Sequence, residues 1–351
     1  MIDRRTFLLT PFVLAAAERR PSILLLDAGQ WRGQATPWAG DPDLVAPNLD
    51  KLGSAGVAFS RAYSCYPSAG PARTGLATGR FPHAVTSEDV RLGDTLKTAG
   101  YRVEQRGSGT AMEFLEANRE APFFMTVTLD PPRSVKPYDP ARLHPRGNVP
   151  SNGETGARKE MAERYGVYTA LDDIAGRLMG ALDRLGIAND TIVVFTAACG
   201  EQLGSQGLEG GDVPFEESVR IPLAIRYRRA LPQPEITDRL ASLVDIVPTL
   251  LALCGEPIPE SVQGSDLRGE RRESVYAEGK IGQKDEWRMV VQGSDKLVFD
   301  AQTEATQLYN LVDDPYELTN LAHDSAMQLK RDELLAVARA SMGRFADFRR
   351  R

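Results

Sequence analysis

FSRAYSCYPSAGPARTGLATGRFPH, residues 59–83, is the stretch on which the reading of this chain turns. Apolar and aromatic residues lead through Pro67, Ser68, Gly70 and Pro71 into Thr74–Thr78, a run that can start a helix, and Gly79-Arg80 closes it. A rigid loop feeding a helix N-terminus leaves backbone N–H groups free, and with the helix dipole they favour an anion. Such a loop can present a nucleophile.

The stretch resembles the signature of the sulfatase family, Y-x-x-x-P-x-C-x-P-S-R-x-x-L-x-T-G-R-x-P-H. Tyr63, Pro67, Pro71, Arg73, Leu76, Thr78, Gly79, Arg80, Pro82 and His83 fall on it without a gap. The resemblance implies a Cys or Ser converted to formylglycine, whose hydrated aldehyde attacks the sulfur of a sulfate ester beside a bound Ca2+. Ala69 occupies that position, and a methyl group can be neither oxidised to the aldehyde nor act as a nucleophile. Cys65-Tyr66-Pro67-Ser68 is itself a C-x-P-S string, but Ala69 stands where Arg must follow and the register lies four residues too early. Ser68 is adjacent to the lost position; one residue of shift rotates a side chain by about 100° in a helix, and Ser68 reads as a turn residue.

Working outward, SILLLD at 22–27 is a short continuous apolar run, the pattern of a parallel strand buried on both faces, and open α/β sheets place ligands at the ends of such strands. Aligning Gln30-Trp31-Arg32-Gly33 with the family's D-Q-W-R-G puts Gly29 and Gln30 at metal-ligand positions. Asp27, two residues earlier on the same face, restores one carboxylate if the register slips. PFFMTVT at 122–128 and TIVVFT at 191–196 are further buried strands. After the latter the family has T-S-D-H-G or T-S-D-N-G, where this chain reads Thr196-Ala197-Ala198-Cys199-Gly200. Calcium takes six to eight hard oxygen ligands, which Ala198 and the soft thiol of Cys199 do not supply. Gly107-Ser108-Gly109-Thr110 replaces the family's G-K-W-H, so Ser108 and Thr110 stand where a Lys and a His are expected. Arg133 replaces a His and cannot exchange protons near neutral pH. Gly211 replaces a sulfate-binding Lys upstream of Phe215-Glu216-Glu217-Ser218.

Scaffold motifs match throughout residues 21–323, including Ala46–Ser60, an amphipathic helix over 159–185, and Leu308-Tyr309-Asn310-Leu311. A helix is expected over 48–56, another with its turn over 91–101, one over 237–253 interrupted at Pro248, and a closing one over 324–348. The expected fold is α/β: an alkaline-phosphatase-like sandwich with a mixed, mostly parallel sheet flanked by helices, plus a small C-terminal antiparallel subdomain. Expected boundaries are 1–20 for an export segment, 21–268 for the α/β domain and 269–351 for the β-rich subdomain. Arg4-Arg5, the apolar run after Phe7 and Ala15-Ala16-Ala17 resemble a twin-arginine signal, implying a periplasmic or secreted bacterial product without a membrane anchor after cleavage.

A formal charge of −6 and a pI near 5.4, without a Lys/Arg block, exclude nucleic acid as the main partner. Cys65, Cys199 and Cys254 lack metal-ligand spacing and read as buried thiols. Only three histidines are present, His83, His144 and His323, none after an expected sheet strand. The expected function is a catalytically inactive, exported member of the resembled family, with no metal or formylglycine. Arg73, Arg80 and Arg133 are its candidate anion-binding groups, for a sulfated or other anionic small molecule or glycan, and an active paralogue is a candidate partner. The alternative is a divergent sulfuric or phosphoric ester hydrolase using Asp27, Ser68, Cys65 or Cys199 in new roles.

Overall fold

A computed structural model describes residues 20–231, 234–300 and 306–343, so the Arg4-Arg5 segment lies outside the described residues. Strands β1 (Ser22–Asp27), β2 (Val57–Tyr63), β3 (Arg102–Gly107), β4 (Phe123–Thr128), β5 (Thr191–Thr196), β6 (Arg220–Arg226) and β7 (Glu235–Ser242) form one sheet in the order β3-β4-β1-β5-β6-β2-β7. β1 pairs in parallel with β4 and β5, β3 with β4, and β2 with β7, whereas β6 runs against both its neighbours. The sheet is therefore mixed and mostly parallel, as the strand motifs implied.

Helices α1 (Pro47–Ser54), α4 (Ser108–Ala117) and α5 (Glu154–Arg184) cover one face, and α2 (Ala69–Thr78), α3 (Leu92–Thr98) and α7 (Ile246–Cys254) the other. The four-residue α6 (Glu216–Val219) leads into β6. Successive residues of β1 feed the two cores alternately, Leu24 and Leu26 into one, Ile23 and Leu25 into the other. On the first face Asp172 of α5 accepts hydrogen bonds from the Asn48 and Leu49 N–H groups at 3.1 and 2.7 Å, satisfying donors at the start of α1. Gly176 makes room for this contact, since a Cβ there would lie 2.3 Å from Asn48 Cγ.

A second, antiparallel sheet runs β11-β10-β9-β8, from β8 (Ser274–Gly279), β9 (Trp287–Gln292), β10 (Asp295–Phe299) and β11 (Thr306–Asn310), with α8 (Gln328–Gly343) against it. The expected closing helix is found over this shorter span, its basic end lying outside the described residues. The helix expected over 237–253 is a strand followed by a helix. Residues 235–242 pair in parallel with β2 as an edge strand, and Ser242 and Asp245 form a capping box that restarts the chain as a helix. Pro248 does not interrupt α7, because it occupies the first turn, where its missing N–H removes no intrahelical bond. Among the described residues, no helix is long and apolar enough to cross a membrane.

The two sheets are joined by a buried charge cluster. Lys296 of β10, fully buried, places its Nζ 3.1 Å from Glu216 Oε1 and 2.7 Å from Glu317 Oε1. Tyr63 donates to Glu216 Oε2 at 3.2 Å. Burial raises the Glu317 carboxyl to about 7; Lys296 opposes the rise and Glu216, sharing the same ammonium, adds to it. Removing the cation strands two buried carboxylates, so Lys296→Met is expected to cost ~3–5 kcal/mol of stability, read from urea unfolding. A carboxyl whose pKa is raised on folding stabilises fully below its unfolded value and loses that contribution as pH rises through the folded value. The unfolding free energy of the natural chain is therefore expected to fall, relative to that of Glu317→Gln, between pH 4.5 and about 7.

Candidate functional site

The ends of β1 and β5 carry the site. Beyond β1 the chain turns at Gly29, whose φ of 71° lies in the left-handed region that glycine adopts without strain. The Gly29 carbonyl accepts from Ala198 N–H at 2.9 Å and Cys199 N–H at 3.3 Å, and Gln30 bridges to Cys199. Gly29, Gln30, Ala198 and Cys199 are thus brought together, through backbone contacts that need none of their side chains. Gly211 joins them: a carbon placed on it would lie 3.3 Å from the Gly200 carbonyl and 3.7 Å from that of Pro67.

The helix expected from Thr74 begins earlier, at Ala69 itself, with Ser68 preceding it in extended conformation and making no capping bond from its side chain. Ala69 is half-buried against the apolar core on the α2 side. Arg73, one turn on, does not stand free. Its Nε donates to Asp27 Oδ2 at 2.7 Å, and the other oxygen of Asp27 accepts from Gly29 N–H at 2.8 Å. Asp27 is 2% exposed, so this pair is a buried carboxylate neutralised by a guanidinium that reaches the surface. A carbon on Gly29 would lie 3.7 Å from Arg73 Nη2, so the family's ligand position faces the cation of this pair. Arg73 borders a cavity of about 430 Å³ that Arg91, Lys97 and Asp27 also line, floored by Leu25 and Phe124. Arg91 and Lys97 were not singled out from the sequence; their signal was a basic residue at each end of the short helix α3, Arg91 at its N-cap and Lys97 in its last turn.

Other candidates are dispersed. Arg80 lies beyond the far end of α2, roughly 15 Å along the helix from Ala69, and its guanidinium is engaged by Asp89 and, at 2.7 Å, by the Ala84 carbonyl. It therefore does not belong with the anion-binding set. Ser108 opens α4 and donates to the Asp130 carbonyl at 3.4 Å, while Thr110 donates back to Gly107 at 3.5 Å. Arg133 is exposed beyond β4.

The thiols do not offer a relocated nucleophile. Cys65 is fully buried, with its Sγ against Gly75, and burial pushes its pKa well above the ordinary value. Burial, with Glu201 next, pushes Cys199 up to about 12, although Gln30 hydrogen-bonds to it. A thiol so held is protonated at neutral pH.

A calcium ion does not fit the residues present. The converging positions offer a glycine, an amide, an alanine and a thiol, and the nearby Asp27 is already held by Arg73. Among the described residues no group of three His, Cys, Asp or Glu side chains is placed to hold a metal ion.

Two family models match the chain: Sulfatase over residues 108–256, and the C-terminal part of N-sulphoglucosamine sulphohydrolase over residues 212–338. An ulvan-active sulfatase of Formosa agariphila is 26% identical over 328 residues, covering 71% of this chain and 64% of the relative. The chain spans 52% and 39% of the length of two further curated relatives, an endo-4-O-sulfatase of Bacteroides thetaiotaomicron and an arylsulfatase of Clostridium perfringens. A protein solved with its substrate D-glucosamine-2-N,6-O-disulfate superposes with a TM-score of 0.85 at 18% identity, covering 94% of this chain and 99% of the other. A phosphonate monoester hydrolase of Agrobacterium radiobacter does so with a TM-score of 0.81 at 19% identity, covering 93% and 96%. At such identities the superpositions establish the fold alone. The two matched models, which between them span residues 108–338, and the sequence relatives support a sulfatase family for this chain, and the superpositions show its alkaline-phosphatase-like fold.

Proposed function

We infer that this protein is an exported sulfatase-family member that does not hydrolyse sulfate esters, and that it holds a sulfated or other anionic sugar as a ligand. The observation that carries the reading is the pairing of Asp27 with Arg73 beside converging positions that lack a nucleophile and oxygen ligands. Ester hydrolysis by this fold requires an attacking group and a charge stabiliser acting together, and losing one such group commonly costs about 10²–10⁴ in rate or more. Here Ala69, Gly29, Ala198, Gly211 and Arg133 replace them at once.

Binding is the capacity left. The half-exposed Arg73, with Arg91 and Lys97 around the same cavity, supplies cationic donors for an anionic group, and Arg133 stands at the neighbouring strand end. Export follows from the Arg4-Arg5 segment and would place the protein in the periplasm or outside the cell.

The full chain, assayed with 4-methylumbelliferyl sulfate in calcium buffer after expression in a host that makes formylglycine, is expected to give no turnover above buffer. Ala69→Cys is expected to remain inactive, because the ligand positions are still unfilled. EDTA-sensitive turnover by the natural chain would overturn the reading. Arg73→Ala leaves the buried Asp27 carboxylate with only the Gly29 N–H, and is expected to lower stability by roughly 1–3 kcal/mol in urea unfolding. Adding Asp27→Asn should recover part of that loss, since the neutral amide is cheaper to bury.

A further inference from the structure

A second cavity lies apart from the cleft that Arg73 borders. It encloses about 670 Å³ on the α5 side, where the loop after β1 meets β2, the start of β6 and the segment after β11. None of Asp27, Gly29, Ala69, Arg73, Cys199 or Gly211 lines it.

Four arginines line this cavity, Arg32, Arg61, Arg146 and Arg220, and they differ in how far their donors are used. Arg146 donates to Glu217 at 2.6 Å, and Arg61 to the Gly293 carbonyl. Arg32 is 2% exposed; its Nη2 donates to Tyr165 at 3.0 Å, but its Nε has no partner. The buried Nε of Arg220 is unpartnered, and its charge lies near Glu216. Its side chain crosses Gly33, where a Cβ would lie 2.8 Å from Arg220 Cγ. Gln34, 9% exposed, has neither its amide oxygen nor its amide nitrogen satisfied.

Three of the four acids on the same walls are already occupied, and the fourth, Asp238, is solvent-exposed. Asp41 accepts from Tyr165 at 2.6 Å and from two backbone N–H groups, Asp43 pairs with His144 at 2.8 Å, and Glu216 is held by Lys296 and Tyr63. Asp238 faces Arg271 at 3.7 Å. Unused donor capacity in the cavity therefore belongs to Arg32, Arg220 and Gln34. A buried donor left without a partner is unfavourable, and guanidinium donors are matched best by an oxyanion. Gln34 offers one donor and one acceptor side by side, the complement of a hydroxyl group. Tyr165 and Tyr316 add flat amphipathic walls, and the volume lies in the range of small-molecule sites.

We propose that this cavity is a binding site for a hydroxylated oxyanion of the acidic-sugar class, its carboxylate or sulfate held by Arg32 and Arg220 and a hydroxyl by Gln34. The site is independent of the cleft that Arg73 borders.

Titration calorimetry of the full chain with D-glucuronate, D-glucose 6-sulfate and D-glucose tests this. One or both of the charged sugars should bind, which decides between carboxylate and sulfate, and neutral glucose should bind at least about tenfold more weakly. Arg220→Gln should weaken binding by about tenfold or more, the loss of one charge-assisted contact. Gln34→Leu should weaken it too, with circular dichroism and urea midpoint unchanged. Arg73→Gln removes the cleft of the proposed function, so the binding that remains in that background should be the part lost on adding Arg220→Gln. The proposal is overturned if neither anionic sugar binds, if glucose binds equally well, if both cavity variants bind like the natural chain, or if no binding remains in the Arg73→Gln background.

Discussion

The arrangement depends on one strand. β1 is held between parallel β4 and β5 and buried on both faces, so its register determines which residues leave the sheet side by side. From that register follows the pinning of the 28–30 turn to 197–199 by backbone hydrogen bonds alone. Because the pins are main-chain groups, the site keeps its shape whatever side chains it carries. Burial of a strand such as SILLL contributes through apolar area, at roughly 25 cal/mol per Å², and is indifferent to the chemistry at its end. Scaffold and catalytic groups can therefore part company.

At the strand end the electrostatics have been rebuilt. A buried carboxylate must be paired, and in this chain Asp27 finds its partner in Arg73 and in the Gly29 N–H. Gln30 and Cys199 are bridged nearby through their backbones. The local charge is balanced by protein groups. The cavity on the α5 side has the opposite character, with its carboxylates engaged and two guanidiniums retaining unused donors.

Continuous apolar runs bounded by Pro and Gly were legible as strands, since a strand buried on both faces has no other composition available. Thr237–Ser242 was not. Its alternation of polar and apolar residues is short, and pairing with β2 outweighed helical propensity along an edge where Glu235, Ile236 and Asp238 face solvent. The start of α2 was read late because Ala69, Gly70 and Pro71 look like loop residues, yet Pro71 is tolerated in a first turn. Lys296, a charged residue in a short alternating segment, gave no sign of being fully buried; its two carboxylate partners come from distant parts of the chain.

The sequence by itself determined which atoms are present: no hydroxyl or thiol at position 69, no carboxylate at 29 or 198, and a chain whose remaining motifs specify a sulfatase fold. Identity at a position is a local property, readable wherever a motif supplies the register. Tertiary structure alone decided which atoms meet. Asp27 and Arg73 stand 46 residues apart, and Arg32 and Arg220 face one cavity from different elements. Such pairings depend on how helices and loops close over the sheet, a distance in space that linear spacing does not encode.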